Sequence, residues 1–293
     1  MFGIGKPSPV AEYEADGEIE QIYHDIRQTL RVSGVNLNLR TWAGYPTFFS
    51  RLWTAIRPSA ETRAFEDAGD LIRAEASRAA ETLGKPDALM LVRLSDSQAY
   101  QIRAALALYH YINPKLLVLT SAVKLVLEGE EMGRGGAGDG RLERIARGVP
   151  ARMYPMEMVE EEPEDEPTRD IFKDIKATLD LPNINSDYRT LALWPSYLSA
   201  AWSQLKTKIE RNEYRDASTG LRDTARALAR ELPYPVTLDR RAIEAAGEDV
   251  EELMKITMSF ERLLPPLIVN IALLQSDWLL PDELAASPFP AES

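Results

Sequence analysis

The sequence predicts an all-α protein in which two tandem helical repeats of about 130 residues pack as a pseudo-dimer. Apolar residues recur at the i, i+3, i+4, i+7 spacing of an amphipathic helix along most of the chain. Few stretches alternate with the period of two that a half-buried strand requires. The chain also resembles itself at an offset of 149 positions, which indicates a duplication.

Residues 22–57 align with residues 171–206 without a gap, and 12 of these 36 positions are identical. Solenoid repeats have periods of about 20–50 residues, so this offset indicates a duplicated domain. Like halves can pack about a pseudo-two-fold axis and leave one concave site at their seam. The halves differ at one informative position, because Asn38 of the first corresponds to Asp187 of the second. Such a site would carry a carboxylate on one side only.

Helical spacing is clearest in residues 19–30, 102–109 and 250–260. Ser95 followed by Gln98 is typical of a capping box and predicts the start of a helix around residues 99–111. Further on, Tyr111-Ile112-Asn113-Pro114 in the first half corresponds to Leu263-Leu264-Pro265-Pro266 in the second. Proline is tolerated in the first turn of a helix, so each proline is expected to mark a new helix start.

The halves are predicted to be residues 1–128 and 169–293, joined by a linker over residues 129–168. Residues 133–140 are rich in glycine, and residues 160–167 are acidic and interrupted by proline. This composition cannot bury enough apolar surface to fold by itself, which favours a solvated spacer. Binding of a cation or a basic partner by the acidic run is the alternative.

Composition excludes several classes of function. Among 293 residues there is no cysteine, which rules out disulfides, cysteine nucleophiles and thiolate metal sites, and two histidines make a multi-histidine metal site unexpected. The net charge of −12 argues against nucleic acid as a partner. No glycine-rich phosphate loop, export signal or apolar run of 18 residues is recognisable. A cytoplasmic protein without a membrane partner, metal or nucleotide cofactor is therefore expected.

Two polar residues precede apolar helical segments and could support chemistry. Asp187 is interpreted either as an N-cap, which its counterpart Asn38 could also be, or as a general base at the seam. Asn113 is either an N-cap with proline at the next position or an amide that holds a water or a substrate oxygen. The sequence pattern alone leaves both alternatives open.

Other residues are better explained by structure. Trp53 and Trp202 are equivalent in the two halves, which favours core packing, and the equivalent Arg40 and Arg189 are expected to brace the fold. His110 has no matched serine or second ligand, so it is a weak catalytic candidate.

Residues 25–32, Tyr111-Ile112-Asn113-Pro114-Lys115, Ser186-Asp187-Tyr188 with Trp194-Pro195 downstream, and the tail at 287–290 together resemble the group I 2-haloacid dehalogenases. The similarity spans nearly the whole chain and includes the duplication. It implies an all-α pseudo-dimeric fold, a homodimer, a small carboxylic acid as substrate and no cofactor.

The resemblance identifies Asp187 as the catalytic aspartate and Asn113 as the asparagine that holds the water. It implies hydrolytic dehalogenation of 2-haloalkanoic acids to 2-hydroxy acids by direct attack of the activated water, with inversion at C2. The alternatives are non-enzymatic binding of a small carboxylate and hydrolysis of another 2-substituted acid. Release of halide from 2-chloropropionate would distinguish dehalogenation from these alternatives.

The resemblance also predicts eight substrate-binding positions. They are Gly34, Asn36, Leu37, Leu116, Asn185, Ser186, Phe260 and Leu264. Gly34 and Leu37 stand where aromatic side chains are usual in the family, Asn36 replaces a small residue, and Leu116 and Phe260 replace tyrosines. The catalytic pair is therefore expected in a rebuilt pocket.

Overall fold

The computed structural model describes residues 7–130, 132–133 and 142–291. Within these ranges every regular element is a helix, and the only β-type pairings are two isolated bridges. The prediction of an all-α protein is therefore confirmed.

Twelve α-helices follow one another in the described part of the chain. They are α1 (Gly17–Leu30), α2 (Leu37–Ala43), α3 (Pro46–Ala60), α4 (Arg63–Leu83), α5 (Asp96–Leu127), α6 (Glu166–Leu179), α7 (Ser186–Leu191), α8 (Pro195–Ile209), α9 (Asn212–Arg230), α10 (Arg240–Ala245), α11 (Val250–Ser276) and α12 (Pro281–Ala285). The long helices α5 and α11 pack against each other and against α4 and α9. In α5 every residue from Leu108 to Leu127 is buried, as expected for a helix at the centre of a core.

The predicted capping box is confirmed at the start of α5. The backbone N–H of Gln98 donates to Ser95 Oγ (3.3 Å), and the backbone N–H of Ser95 donates to Gln98 Oε1 (3.0 Å). These bonds satisfy two of the N–H groups that have no partner at a helix start.

The prediction that the prolines begin new helices is wrong. Pro114 lies inside α5, and Pro265 and Pro266 lie inside α11. An interior proline removes the N–H that would bond to the carbonyl four residues earlier, at a cost of about 3 kcal/mol. For Pro114 that carbonyl belongs to His110, and it accepts instead from Nε of the buried Arg73 (3.0 Å). Burial of α5 and this replacement donor let the helix continue.

Tryptophans at positions 149 apart make the same hydrogen bond. Trp53 Nε1 donates to Asp25 Oδ2 (2.8 Å), and Trp202 Nε1 donates to Asp174 Oδ2 (2.7 Å). Both tryptophans are buried, which confirms the prediction that they pack in the core.

Helix ends and adjoining segments also agree at this offset. The residue that follows α1, Arg31, has φ of 58°, and the residue that follows α6, Asp180, has φ of 51°. The backbone N–H of Val10 donates to the carbonyl of Arg40 (3.0 Å), as the N–H of Val159 does to Arg189 (3.2 Å). Local backbone geometry is thus shared by positions that are 149 residues apart.

The segment between α5 and α6 is not a solvated spacer throughout. Residues 142–165 contain no helix, but Tyr154 accepts a bond from Ser33 Oγ (2.7 Å) and Glu157 accepts one from Thr190 Oγ1 (2.7 Å). This segment therefore contacts both halves, and it also buries Met153. Glu160 in the acidic run is 91% exposed, and α6 already begins at Glu166. Most of the glycine-rich run lies outside the described residues.

Helix α11 is long and apolar enough, by length and composition alone, to cross a membrane, although the sequence has no apolar run of 18 residues. In this structure 61% of its most apolar window is buried inside the protein. That burial is typical of a central core helix.

Candidate active site

Asp187 is the second residue of α7, and the residue at the N-cap position is Asn185. The interpretation of Asp187 as an N-cap is therefore wrong. Asn38 has the same relation to α2, whose N-cap position is held by Asn36. At the second position of α2 and of α7 the side chain points towards the core helix α5.

Asn113 is the residue that Asp187 contacts. Asn113 Nδ2 donates to Asp187 Oδ1 at 2.7 Å, and the two side chains are 2% and 3% exposed. Asn113 lies inside α5, so it is not the N-cap that the following proline suggested. The packing of α7 against α5 thus joins the two predicted catalytic residues, which are 74 positions apart in the chain.

Burial raises the pKa of Asp187 from 3.8 to about 7, although the hydrogen bond from Asn113 and a bond from its own backbone N–H act to lower it. Burial has this effect because a low-dielectric surrounding disfavours the charged carboxylate. A carboxyl group with a pKa near 7 can accept a proton efficiently at neutral pH.

The equivalent position in the first half carries no acid. Asn38 Nδ2 donates to Thr120 Oγ1 (3.3 Å), and its buried Oδ1 has no hydrogen-bond partner among the described residues. An amide cannot serve as a general base, so this pair of positions provides one base.

Sequence reasoning missed Tyr109 and Thr190, which hold the start of α7. The hydroxyl of Tyr109 lies 2.7 Å from Thr190 Oγ1 and donates to the carbonyl of Ser186 (3.3 Å). Thr190 is identical to Thr41 at the offset of 149, and that identity was the available signal. Because these bonds fix Ser186 and Thr190, they also fix the turn that carries Asp187.

Three of the predicted substrate-binding residues line one cavity of about 300 Å³ between α2, α11 and the loop before α7. They are Leu37, Asn185 and Phe260. Neither Asp187 nor Asn113 belongs to the lining of this α2–α11 cavity, although Asn185 is two residues from Asp187. Leu116 and Leu264 are buried in α5 and α11 and do not line it.

Gly34 lies against the segment that connects the halves. A Cβ atom at this position would stand 2.8 Å from Met156 Cβ and 3.2 Å from Glu12 Oε1. Met156 therefore occupies the space that a side chain at position 34 would need.

The remaining candidates have structural contacts. His110 Nε2 lies 2.8 Å from the carbonyl of Leu284, and burial lowers the pKa of His110 to about 3, so the ring is neutral. Arg189 Nε donates to the carbonyl of Val159 (2.8 Å), which braces the connecting segment. In the part of the chain that the structure describes, no group of three or more side chains could hold a metal ion.

Comparison with known proteins identifies the family. The model of the family described as "Halocarboxylic acid dehydrogenase DehI" matches residues 33–188. The chain is also 35% identical over 272 residues to an (R)-2-haloacid dehalogenase of Pseudomonas putida, an alignment that covers 90% of each protein. This chain belongs to the DehI family. The resemblance to 2-haloacid dehalogenases noted in the sequence is thereby confirmed.

Other similar proteins agree with this assignment. A configuration-inverting 2-haloacid dehalogenase of Pseudomonas sp. (strain 113) is 30% identical and aligns with 74% of this chain and 72% of its own length. A solved structure of a D-2-haloacid dehalogenase complex with L-LA superposes with a TM-score of 0.85 at 33% identity, covering 93% of this chain and 96% of that chain. The prediction of an enzyme of the carbon–halide hydrolase class is confirmed at the level of the family.

Proposed function

We propose that this protein hydrolyses small 2-haloalkanoic acids to 2-hydroxy acids, with Asp187 as the general base. The observation that carries the proposal is the buried contact of 2.7 Å between Asn113 Nδ2 and Asp187 Oδ1, at a carboxyl group whose pKa is raised to about 7. Membership of the DehI family supports the reaction class.

The proposed reaction is a single displacement. Ionised Asp187 takes a proton from a water molecule, and the water oxygen forms a bond to C2 as the carbon–halogen bond breaks. The halogen leaves with the bonding electron pair, and the proton passes from Asp187 to solvent. Since the oxygen attacks opposite the leaving group, the configuration at C2 inverts.

In this scheme Asn113 orients both Asp187 and the attacking water. Its amide nitrogen is bonded to Asp187 Oδ1, which leaves Oδ2 to accept the proton from the water. Its amide oxygen can accept the second hydrogen of the same water, because an amide both donates and accepts.

We place the acid in the α2–α11 cavity, with Leu37, Asn185 and Phe260 as walls. Gly34, Asn36, Leu116, Ser186 and Leu264, which do not line this cavity, remain proposed binding positions. Two relatives are named (R)-2-haloacid dehalogenases, and a similar solved structure is of a D-2-haloacid dehalogenase. We therefore propose preference for the (R) enantiomer and release of the (S)-2-hydroxy acid.

The test is halide release from each enantiomer of 2-chloropropionate, with the product resolved on a chiral column. A single turnover in H₂¹⁸O with excess enzyme identifies the attacking group. Direct attack by water puts the label into the first product molecule, whereas an aspartyl ester would put it into the protein. Retained configuration, or an unlabelled first product, would contradict the mechanism.

We further propose that the chain consists of two repeats, residues 1–128 and 169–293, that pack as a pseudo-dimer. Support comes from the equal hydrogen bonds and helix ends at the offset of 149. Assembly into a homodimer is also proposed. Met90, Leu91 and Tyr100, which are large, exposed and close in sequence, are candidates for that interface. Light scattering of the purified protein measures the assembly.

A further inference from the structure

A second cavity lies in the second half, between α6, α7, α9 and α11. Its volume is about 480 Å³, and its walls include Tyr188, Tyr214 and Leu267. We refer to it as the α9–α11 cavity. It shares the lining residues Asn185 and Leu263 with the α2–α11 cavity, so the two cavities are neighbours.

The two cavities differ in charge. The lining of the α9–α11 cavity includes Arg215 and Arg262 and, among the described residues, no acidic side chain. The lining of the α2–α11 cavity includes Glu252 and no lysine or arginine. The positive charge that can attract an anion from solvent therefore lies at the α9–α11 cavity and not at the α2–α11 cavity.

The equivalent region of the first half contains a carboxylate of the protein itself. Glu66, which is 149 positions before Arg215, forms an ion pair with Lys115 (Nζ to Oε2, 2.6 Å) and accepts a hydrogen bond from the hydroxyl of Tyr111 (2.9 Å). In the second half Arg215 takes the place of this acid. Cationic side chains thus border an open space where the first half has an internal ion pair.

Both arginines can share their charge with a ligand. Arg262 Nη1 contacts Asp180 Oδ2 at 2.7 Å, but these side chains are 55% and 87% exposed. Ion pairs at such exposure contribute little stability, so the guanidinium group can turn to another anion at small cost. Arg215 donates to the neutral amide oxygen of Asn212, which leaves its charge uncompensated by that contact.

We propose that the α9–α11 cavity binds the substrate acid on its way to Asp187, with the carboxylate held by Arg215 and Arg262 and the alkyl group against the apolar walls. This inference rests on the proposed function. A chain of net charge −12 repels anions, and a local cationic entrance offsets that repulsion by raising the local concentration of the substrate.

The cavity is also linked to the catalytic turn. Tyr188 follows Asp187 in α7, and its hydroxyl accepts from Asn270 Nδ2 (2.8 Å). The hydroxyl of Tyr214 donates to Asn270 Oδ1 (2.9 Å). A ligand in the cavity would thus touch two tyrosines of a network that ends beside the general base.

The kinetic test compares Arg215→Gln, Arg262→Gln and the double variant with Arg241→Gln, which removes the same charge from an exposed position at the start of α10. At low salt we expect kcat/KM for (R)-2-chloropropionate to fall roughly tenfold or more in the double variant while kcat stays unchanged. Because about 1 M salt shortens the screening length to about 3 Å, the difference should shrink there. Equal kcat/KM values for the double variant and Arg241→Gln would overturn the proposal.

Binding is measured separately by calorimetry, with (R)-2-chloropropionate titrated into Asp187→Asn protein with and without the two arginine changes. The expected result is at least a fivefold weaker affinity when both arginines are replaced, and no change with Arg241→Gln. Unchanged affinity would refute the cavity site. If the unmodified protein released no halide, the proposed function would fail, and this titration would still decide whether the cavity binds the acid.

Discussion

Replacing Asp187 by asparagine is expected to remove halide release and, at alkaline pH, to stabilise the fold. The catalytic effect follows from the loss of the only carboxylate assigned to the water. General-base assistance contributes on the order of 10²–10⁴-fold, so kcat should fall by at least that range.

The effect on stability follows from burial of the carboxyl group. A pKa of about 7 in place of 3.8 corresponds to about 4 kcal/mol of free energy against the ionised form in the folded protein. The raised pKa means that the folded state keeps its proton at pH values where the unfolded state has released it. The free energy of unfolding therefore falls as pH rises from 3.8 to about 7, and the loss is complete above that range.

Asparagine has no such titration. Its side-chain oxygen can still accept from Asn113, but its NH₂ group needs a new partner, at a cost of about 1–3 kcal/mol if none is found. The net gain at pH 8 should therefore be about 1–3 kcal/mol, and it should vanish or reverse at pH 4, where wild-type Asp187 is protonated in the folded protein.

The assay is urea unfolding at pH 4 and pH 8, together with halide release at pH 8. Asp170→Asn is the matched control, because Asp170 is an exposed aspartate paired with Lys173 at the surface. A folded Asp187→Asn protein with full activity would refute the catalytic assignment. The same stability difference from wild type at both pH values would refute the reasoning about burial.

Three further results are expected. Asn113→Leu removes a hydrogen bond that lowers the pKa of Asp187, so the midpoint of the pH profile of kcat/KM should move above 7 and kcat should fall; an unmoved midpoint would contradict this. Gly34→Ala should lower the free energy of unfolding by about 1–3 kcal/mol, because its Cβ would overlap Met156. Adding Met156→Gly to the Gly34→Ala protein should restore most of that stability, as measured by thermal unfolding. Between pH 6.5 and pH 3 the unfolded state binds a proton at His110 that the folded state does not, so the free energy of unfolding falls on acidification. His110→Gln should make this fall smaller. Urea titrations that give the same pH dependence of the free energy of unfolding as wild type would disprove this.

Helical periodicity was sufficient to predict the all-α fold class, because it is a property of single segments of the chain. The capping box at Ser95 could be predicted for the same reason. The continuity of α5 could not, because Pro114 is a local signal for a helix boundary and the donor that compensates for it, Arg73, lies 37 positions before His110. Tertiary contacts of this kind leave no pattern in the local sequence.

The candidate site shows the same division. Comparison of the halves singled out Asp187, because the substitution of an acid for Asn38 is visible at the aligned position. The role of Tyr109 depends on how α7 packs on α5, and the role of Met156 depends on how the connecting segment reaches Gly34. The acidic, proline-broken composition of the connecting segment predicted no contact with Gly34, so this contact could be seen only in the structure.

The surroundings of Asn113 explain how a fold can present a buried amide to a buried acid with a fixed geometry. Pro114 leaves the carbonyl of His110 without its helical partner, and Arg73 supplies the missing donor from α4. Tyr111 and Lys115 lie two residues before and two residues after Asn113. Both contact the buried Glu66 of the same helix α4, Tyr111 by a hydrogen bond and Lys115 by an ion pair. Because helix α5 is attached to α4 on both sides of the proline, rotation of the segment that carries Asn113 would break several buried polar contacts at once. Buried polar groups that lose their partners cost about 1–3 kcal/mol each, and more when they are charged. The amide is therefore positioned before any substrate arrives.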